Sequence, residues 1–220
     1  MTEKKAYNGI YNRIIKRLIG FIIALPFFVV ALPLYLVICV AIYIEDGKPV
    51  FYRALRGGYK NRPFRIYKFR TMVVNADKIG GGTTAHNDSR ITKVGMFLRK
   101  TKLDETANLI NILIGTMSFV GPRPELLRYT DKYTDKEKEI LEVRPGVTDY
   151  SSIEYINLDE IVGSENADEV YEKYVLKKKN ELRIKYAETV SFRTDCKIFI
   201  ITIWKVFKKV FEYIVKRKHR

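Results

Sequence analysis

No charged side chain occurs between Leu18 and Ile44, and an apolar segment of this length is difficult to place inside a small water-soluble domain. A helix of about 20 apolar residues already crosses the roughly 30 Å hydrocarbon core of a bilayer. A cleavable signal peptide is disfavoured, because the segment is too long for one and no small-residue cleavage site precedes Glu45. We therefore expect a membrane-embedded helix.

Two prolines within this segment leave two membrane topologies open. Pro26 and Pro33 each remove a backbone donor and tend to kink or break a helix. Both flanks of the segment are basic, so the positive-inside rule does not choose which end faces the cytoplasm. A kinked helix could span the bilayer, or a helix that breaks at Pro33 could return to the face from which it entered.

The basic residues are concentrated beside the apolar segments. The chain has 40 Lys and Arg against 25 Asp and Glu, a formal net charge of +15, and residues 1–17, 45–70 and 193–220 hold this excess. A uniformly basic chain would favour a nucleic-acid partner. Here the charge borders Leu18–Ile44 and Ile198–Val215, which favours a membrane surface and no nucleic acid.

After the membrane segment we expect one small globular domain of mixed α/β class, mostly helical. Val50–Arg53 and Phe64–Arg70 have strand-like patterns, and the second alternates apolar and basic residues, which predicts a hairpin with a cationic face. Residues 158–189 are charge-rich and helix-like, and Lys177–Lys179 within them is expected to be a solvated or lipid-facing patch. Gly80–Thr84 lacks the pattern of a phosphate-binding loop and is expected to be a flexible loop.

The last segment has the pattern of an amphipathic helix that lies in the membrane interface. Apolar residues step along one helical face from Ile200 to Ile214, while lysines occupy the other faces. A core-packing helix with a basic outer face is the alternative. The predicted division of the chain is a membrane-associated helix at 1–46, a globular domain at 47–192 and an interfacial helix at 193–220.

Asp104 and Glu105 are the strongest candidates for chemistry. The spacing predicts a helix that is capped by Thr101 and closed by Gly115, with both carboxylates in its first turn. There the helix dipole and free amides favour the ionised form, which would keep a carboxylate available as a nucleophile or metal ligand. Simple helix capping is the alternative interpretation.

Basic residues surround this acidic pair in the sequence. Arg99 and Lys100 precede it, and Arg123 follows it between two prolines that fix the backbone. The planar guanidinium of Arg123 could therefore be presented to a phosphate at low ordering cost.

The ordered motifs resemble those of the monotopic phosphoglycosyl transferases, the bacterial sugar transferase family. The resemblance covers about residues 13 to 148 and consists of Lys16-Arg17, Pro33, Tyr67-Lys68-Phe69-Arg70-Thr71-Met72, Arg90-Ile91-Thr92-Lys93-Val94-Gly95, Phe97-Leu98-Arg99, Leu103-Asp104-Glu105, Met117 to Glu125 and Arg144-Pro145-Gly146-Val147-Thr148.

This resemblance implies a re-entrant helix-break-helix, an Asp-Glu catalytic dyad and a Mg²⁺-dependent site on the cytoplasmic face of the bacterial inner membrane. It implies catalytic roles for Asp104 and Glu105, a metal-ligand role for Asp104 and the membrane break at Pro33. The expected substrate-binding residues are Lys68, Arg70, Arg99, Arg123 and Arg144.

The implied reaction transfers a sugar-1-phosphate from a UDP-sugar to polyprenol (undecaprenyl) phosphate. UMP would leave as a phosphosugar forms on Asp104, in the first membrane step of glycan or glycoprotein assembly. The expected partners are UDP-sugar, polyprenol phosphate and membrane lipid, and a homo-oligomer is compatible with this function.

The chain also departs from the family pattern. Leu32 stands where the family has Ser before the helix-breaking proline, Thr106-Ala107-Asn108 replaces Leu-Pro-Gln, and Thr116 replaces an Asp. After Thr148 the sequence Asp149 to Tyr155 replaces the usual Gly-x-Ala-Gln, at the end of the site expected to meet the nucleotide or sugar.

Two other functions fit the residues. A membrane-anchored, non-catalytic scaffold would need the basic clusters but not the acidic pair. A glycosyltransferase acting at the sugar carbon would release UDP instead of UMP.

Overall fold

The computed structural model describes residues 5–76, 88–156, 158, 161 and 167–218, with side-chain burial as far as residue 208. The glycine-rich segment Gly80–Thr84 lies outside the described residues. The α-helices of four residues or more are α1 (Lys16–Asp46), α2 (Lys93–Thr101), α3 (Asn108–Ile114), α4 (Leu127–Thr130), α5 (Tyr150–Glu154), α6 (Ala167–Val170), α7 (Leu176–Thr189) and α8 (Phe192–Lys218). The strands are β1 (Phe51–Tyr52), β2 (Leu55–Arg56), β3 (Phe64–Arg65), β4 (Lys68–Phe69), β5 (Ser118–Val120) and β6 (Gly146–Thr148).

Helix α1 continues through both of its prolines. The prediction of two helices separated at Pro33 is therefore wrong at the level of secondary structure, because Lys16–Asp46 forms one 31-residue helix with Pro26 and Pro33 inside it. A proline removes one backbone hydrogen bond and bends a helix, but the helix can continue because the hydrogen bonds of the neighbouring turns remain. With the π-helical turn before it, the segment Tyr11–Asp46 is long and apolar enough to cross a membrane, by length and composition.

One face of α1 packs on the globular part of the chain. Ala24 lies against a cluster around Ile112 and Met117, and Tyr35 and Ile38 pack with a second cluster around Phe69 and Leu98. The other faces of α1 are exposed and apolar, with Val30 79% exposed. Exposed apolar area of this extent indicates contact with lipid or another apolar partner.

The N-terminal end of α1 is tied to the C-terminal helices by a buried ion pair. Lys16 Nζ lies 3.0 Å from Asp195 Oδ2 of α8, and the hydroxyl groups of Tyr11 and Tyr186 donate to the two oxygens of the same carboxylate at 2.7 and 2.6 Å. Three partners on one carboxylate compensate for the cost of burying it.

A two-part hairpin follows α1, as predicted. β1 pairs antiparallel with β4, so Tyr52 lies opposite Lys68, and β2 pairs antiparallel with β3, so Arg56 lies opposite Phe64. The side chain of Asn111 on α3 spans the break between the two ladders: its Oδ1 accepts from Tyr67 N at 2.7 Å and its Nδ2 donates to Arg65 O at 2.9 Å.

β5 and β6 form a parallel pair that supports the loop carrying Arg123. Ser118 is in register with Gly146 and Val120 with Thr148. Gly146 in β6 and Gly121 directly after β5 do not tolerate a side chain. A Cβ on Gly146 would lie 2.2 Å from Gly121 N, and a Cβ on Gly121 would lie 2.3 Å from Arg144 O. The backbone at the start of the Arg123 loop is therefore held close against β6.

The C-terminal helices expose an apolar face and correct one prediction. On α8, Trp204 is 62% and Phe207 70% exposed, as expected of an apolar face turned away from the core, while Ile198 near its start is fully buried. Lys179 on α7 is buried at 5% exposure, so the prediction that Lys177–Lys179 forms a solvated or lipid-facing patch is wrong for this lysine.

Candidate active site

The acidic pair begins a helix, but Thr101 does not cap it. Thr101 is the last residue of α2, and its hydroxyl donates to Phe97 O at 2.9 Å, one turn back. Because Thr101 is still part of α2, it does not stand at the start of the next turn, where Lys102 is the N-cap residue and no side chain caps the turn. Lys102 then adopts a left-handed conformation at φ +57°, and a 3₁₀ turn, Leu103–Ala107, leads into α3. The predicted closure at Gly115 is confirmed, with φ +87°.

Glu105 is held by two cations from distant parts of the chain. Lys68 Nζ lies 2.9 Å from Glu105 Oε1, and the guanidinium of Arg123 donates to both carboxylate oxygens, with Nη1 3.1 Å from Oε2. Burial alone would raise the pKa of Glu105, but the charges of Arg123 and Lys68 outweigh it and hold that pKa well below its usual range. Glu105 is therefore ionised and fixed in orientation.

The electrostatic environment of Asp104 is the opposite of that of Glu105. Its side chain is 9% exposed, and its Oδ1 is buried with no hydrogen-bond partner among the described residues. Burial first, and the negative charge of Glu105 second, raise the pKa of Asp104, while Lys68 and Lys102 oppose the rise. This corrects the expectation that the helix start favours its ionised form, because burial and the neighbouring carboxylate outweigh the helix dipole.

Arg99 approaches Asp104 from α2. Its Nε donates to Thr71 Oγ1 at 2.8 Å, and its charge favours the ionised form of Asp104. The helix is placed by a close backbone contact, since a Cβ on Gly95 would lie 2.1 Å from Thr71 O. Thr92 caps α2 by accepting from Gly95 N at 2.9 Å.

Burial acts on Lys68 as well. It lowers the pKa of Lys68 even though Glu105 and Asp104 favour the charged form. The Lys68 side chain as a whole is 22% exposed, so it is not completely enclosed. The acidic pair, Lys68, Arg99 and Arg123 thus form a single cluster of charges.

Two predicted substrate-binding residues have other partners. Arg70 is buried and donates to the backbone oxygens of Asp46 and Gly47 at 2.8 and 3.0 Å, which fixes the end of α1. Arg144 Nε and Nη1 donate to Gly115 O and Asn12 O, both at 3.3 Å. Their described contacts hold the fold together instead of joining the charge cluster.

Pro33 lies in an exposed, apolar part of α1, and its described surroundings do not test the predicted membrane break. Asn108, in contrast, was missed as a candidate. It is 2% exposed, four residues after Asp104 on the buried side of the helix, and its Oδ1 has no hydrogen-bond partner in the part of the chain that the structure describes. A polar residue four positions after a candidate nucleophile is a helical-face signal that the sequence carries.

The donor set near Asp104 suits Mg²⁺ held partly by substrate. The free Oδ1 of Asp104 is a hard oxygen ligand without a competing partner. No group of three or more His, Cys, Asp or Glu that could hold a metal ion occurs among the described residues. Mg²⁺ is commonly bound by one or two carboxylates together with substrate phosphates and water, so a single protein carboxylate fits that mode.

Comparison with known proteins places the chain among bacterial transferases. The profile of the family described as bacterial sugar transferase matches residues 11–209. A UDP-glucose:undecaprenyl-phosphate glucose-1-phosphate transferase of Klebsiella pneumoniae is 35% identical over 205 residues, which are 91% of this chain and 41% of the relative. The protein of the same name in Escherichia coli (strain K12) is 33% identical over 200 residues, 89% of this chain and 41% of the relative.

A Bacillus subtilis (strain 168) protein named as an uncharacterized sugar transferase is 37% identical over 163 residues, which are 74% of this chain and 72% of that protein. The chain spans less than half of the length of the Klebsiella and E. coli relatives, and the family match at residues 11–209 includes the acidic pair.

Proposed function

The chain belongs to the bacterial sugar transferase family, and we propose from this premise that it transfers a sugar-1-phosphate from a UDP-sugar to polyprenol phosphate and releases UMP. The Klebsiella and E. coli relatives are named for this type of reaction, with UDP-glucose as donor and undecaprenyl phosphate as acceptor. The observation that carries the proposal is the Oδ1 of Asp104, which is buried without a hydrogen-bond partner among the described residues. It lies beside Glu105, whose carboxylate is held by Arg123 and Lys68.

In the first step, an Asp104 carboxylate oxygen attacks the sugar-bearing phosphorus of the donor. A bond forms between that oxygen and phosphorus, the phosphoanhydride bond breaks, and UMP leaves with the bonding electrons. In the second step, a phosphate oxygen of the polyprenol phosphate attacks the same phosphorus and the bond to Asp104 breaks. Covalent catalysis divides a transfer between two anions into two simpler displacements.

The surrounding cations offset the charge of the reacting phosphates. Arg123 and Lys68 both hold Glu105, and each can meet a phosphoryl oxygen with its remaining donors. Glu105 keeps these two side chains in place and balances their charge until substrate arrives. Mg²⁺, bound by Asp104 and the diphosphate, would add Lewis-acid stabilisation of the phosphoryl oxygens.

We also propose that α1 enters and leaves the cytoplasmic membrane on the same, cytoplasmic, face. Arg17 near its start donates to Leu113 O at 2.6 Å, and Glu45 at its end accepts from Lys93 N at 2.7 Å. Both ends of the helix therefore bond to the same globular unit, which supports entry and exit on one face, with the prolines of α1 as the positions where the helix would bend. The apolar face of α8 would lie on the same membrane surface and support the boundary at residue 193.

The nucleotide product tests the proposed function. Purified protein with UDP-sugar, polyprenol phosphate and Mg²⁺ is expected to release UMP in equal amount to the polyprenol diphosphate sugar formed. Release of UDP would indicate attack at the sugar carbon and contradict the proposal. A non-catalytic scaffold would release neither nucleotide from any UDP-sugar.

A further inference from the structure

A second cluster of buried charges lies behind the loop that carries Arg123. Glu125, two residues after Arg123, has a side chain only 12% exposed, and its Oε1 accepts from Arg183 Nη2 at 2.7 Å and from the hydroxyl of Tyr171. Lys179 Nζ lies 3.9 Å from the same oxygen. The proposed reaction makes no direct use of these four side chains.

Arg183 reaches both segments that orient Arg123. Its side chain is completely buried, and besides Glu125 it faces Asp149, whose Oδ2 lies 3.9 Å from Arg183 Nε. Asp149 follows β6 directly, and Arg123 Nη1 lies 3.5 Å from Val147 O in that strand. One guanidinium therefore links the loop that holds Arg123 to the strand against which Arg123 rests.

The backbone of the loop is held at its edges as well. Gly121 N donates to Thr148 O at 2.8 Å, Gly146 N donates to Pro122 O at 3.0 Å, and Gly57 N of the hairpin donates to Glu125 O at 3.0 Å. With the Glu125 carboxylate fixed by α7, the loop has little freedom to rotate. The guanidinium of Arg123 is then aimed at Glu105.

We propose that Glu125 and Arg183 are positioning residues that hold Arg123 in the geometry required for phosphosugar transfer. The inference rests on the proposed function. Buried ion pairs are weak contributors to stability, and well-packed apolar residues can often replace them. A buried arginine that joins the two segments around a phosphate-binding arginine has a positioning role that an apolar pair could not supply.

The test is a double-mutant cycle on kcat for UMP release. Glu125→Gln alone is expected to lower kcat about 10- to 100-fold, as losses of supporting partners at active sites commonly do. In an Arg123→Ala background the same change is expected to lower kcat by less than about twofold, because the group that it positions is absent. Equal effects in both backgrounds would overturn the proposal.

Tyr171→Phe is the milder variant, because it removes one hydrogen bond to Glu125 and keeps the ring. We expect a several-fold loss of kcat with the same dependence on Arg123, and an unchanged kcat in the folded variant would overturn the proposal. Glu139→Gln is the matched control: this buried carboxylate is paired with Lys5 and, at 3.2 Å, with Lys136, neither of which belongs to the Arg123 loop. It is expected to lower the unfolding midpoint while leaving kcat unchanged.

Failure of the positioning role is distinguishable from failure of the reaction. If the wild-type protein releases no UMP, both the proposed function and this inference fail. If it releases UMP and Arg123→Ala lowers kcat while Glu125→Gln and Tyr171→Phe do not, only the positioning role fails.

Discussion

Asp104 and Glu105 are adjacent carboxylates with opposite environments, and their difference suggests different roles. Glu105 is held by Lys68 and Arg123, whereas the Oδ1 of Asp104 is buried without a partner among the described residues. Environments that move the pKa values of two neighbouring carboxylates apart are typical of sites in which each has its own function. We therefore propose that Asp104 forms the covalent bond and that Glu105 orders the cations.

Asp104→Asn is expected to abolish the transfer without unfolding the protein. The amide has nearly the same shape as the carboxylate but is not nucleophilic, so kcat for UMP release should fall by at least on the order of 10³-fold. Asp135→Asn is the control, because that side chain is 99% exposed. Normal turnover of Asp104→Asn in detergent would contradict the nucleophilic role.

The lowered pKa of Glu125 predicts that the protein loses stability in acid. Burial alone would raise its pKa, but Arg183 and Lys179 outweigh burial and lower it to about 2, from a usual value of 4.5. Because the folded-state pKa is depressed, the stabilisation is complete above the unfolded-state pKa and is lost as pH falls from about 5 towards 2. Arg183, Lys179 and Tyr171 keep their protonation states in this range, so the carboxylate carries the effect.

The measurement is the free energy of unfolding in detergent between pH 7 and pH 3. For wild type we expect a decline below about pH 5, and for Glu125→Gln a lower free energy at pH 7 with a shallower decline. Parallel pH profiles for the two proteins would show that Glu125 does not carry this dependence.

At the scale of elements, α2 positions Arg99 through a contact that leaves no room for a side chain. A Cβ on Gly95 would meet Thr71 O at 2.1 Å, and neither partner is a flexible side chain. Gly95→Ala is expected to displace α2, to destabilise the protein by about 1–3 kcal/mol and to lower kcat as Arg99 moves. Lys100→Ala on the exposed side of α2 should change neither quantity by much.

Thermal unfolding and kcat measured on both α2 variants check this prediction. A Gly95→Ala protein with wild-type unfolding midpoint and wild-type kcat would mean that α2 accommodates the methyl group without moving Arg99.

The elements that the sequence predicted are those fixed by local signals. The alternation in Phe64–Arg70 predicted the hairpin, and Gly115 predicted the end of α3 because a left-handed residue is needed there. The prediction that Thr101 caps the next helix is wrong. A threonine hydroxyl can bond a carbonyl of the preceding turn or an amide of the following one, and which bond forms depends on where α2 ends.

The site depended on long-range contacts that local patterns do not contain. Lys68, Glu105 and Arg123 belong to three separate motifs, and their ordered resemblance to a family identified them together. Lys179 looked solvated within a run of lysines because its acidic partner, Glu125, lies in a distant loop. Arg70 and Arg144 looked similar to the cations proposed to bind phosphate, although they donate to backbone oxygens, and Arg70 also to the Asp46 carboxylate, which the sequence does not reveal.

At the scale of the whole molecule, the charge distribution and the apolar surfaces suit a membrane-anchored protein. The net charge of +15 is concentrated beside α1 and α8, whose exposed residues are largely apolar. We propose that this arrangement lets the protein take a water-soluble donor from one side and an acceptor with a membrane-buried tail from the other. The basic residues would meet anionic head groups at the same surface.

Cysteine labelling in intact cells tests the proposed topology. With Cys39 and Cys196 replaced by serine, single cysteines at Asn8 and Lys48 are expected to react with a membrane-impermeant maleimide only after the membrane is permeabilised. Both positions would then lie on the cytoplasmic side. Reaction of one position in intact cells would show that α1 spans the membrane.

Trapping the intermediate on Asp104 tests the account most directly. Protein mixed with UDP-sugar and Mg²⁺, without polyprenol phosphate, is expected to release at most one equivalent of UMP per protein and to gain the mass of one phosphosugar on the peptide containing Asp104. Addition of polyprenol phosphate should remove that mass and form the lipid-linked product. Full turnover by the wild-type protein without this adduct, together with unchanged turnover by Asp104→Asn, would contradict a covalent intermediate on Asp104.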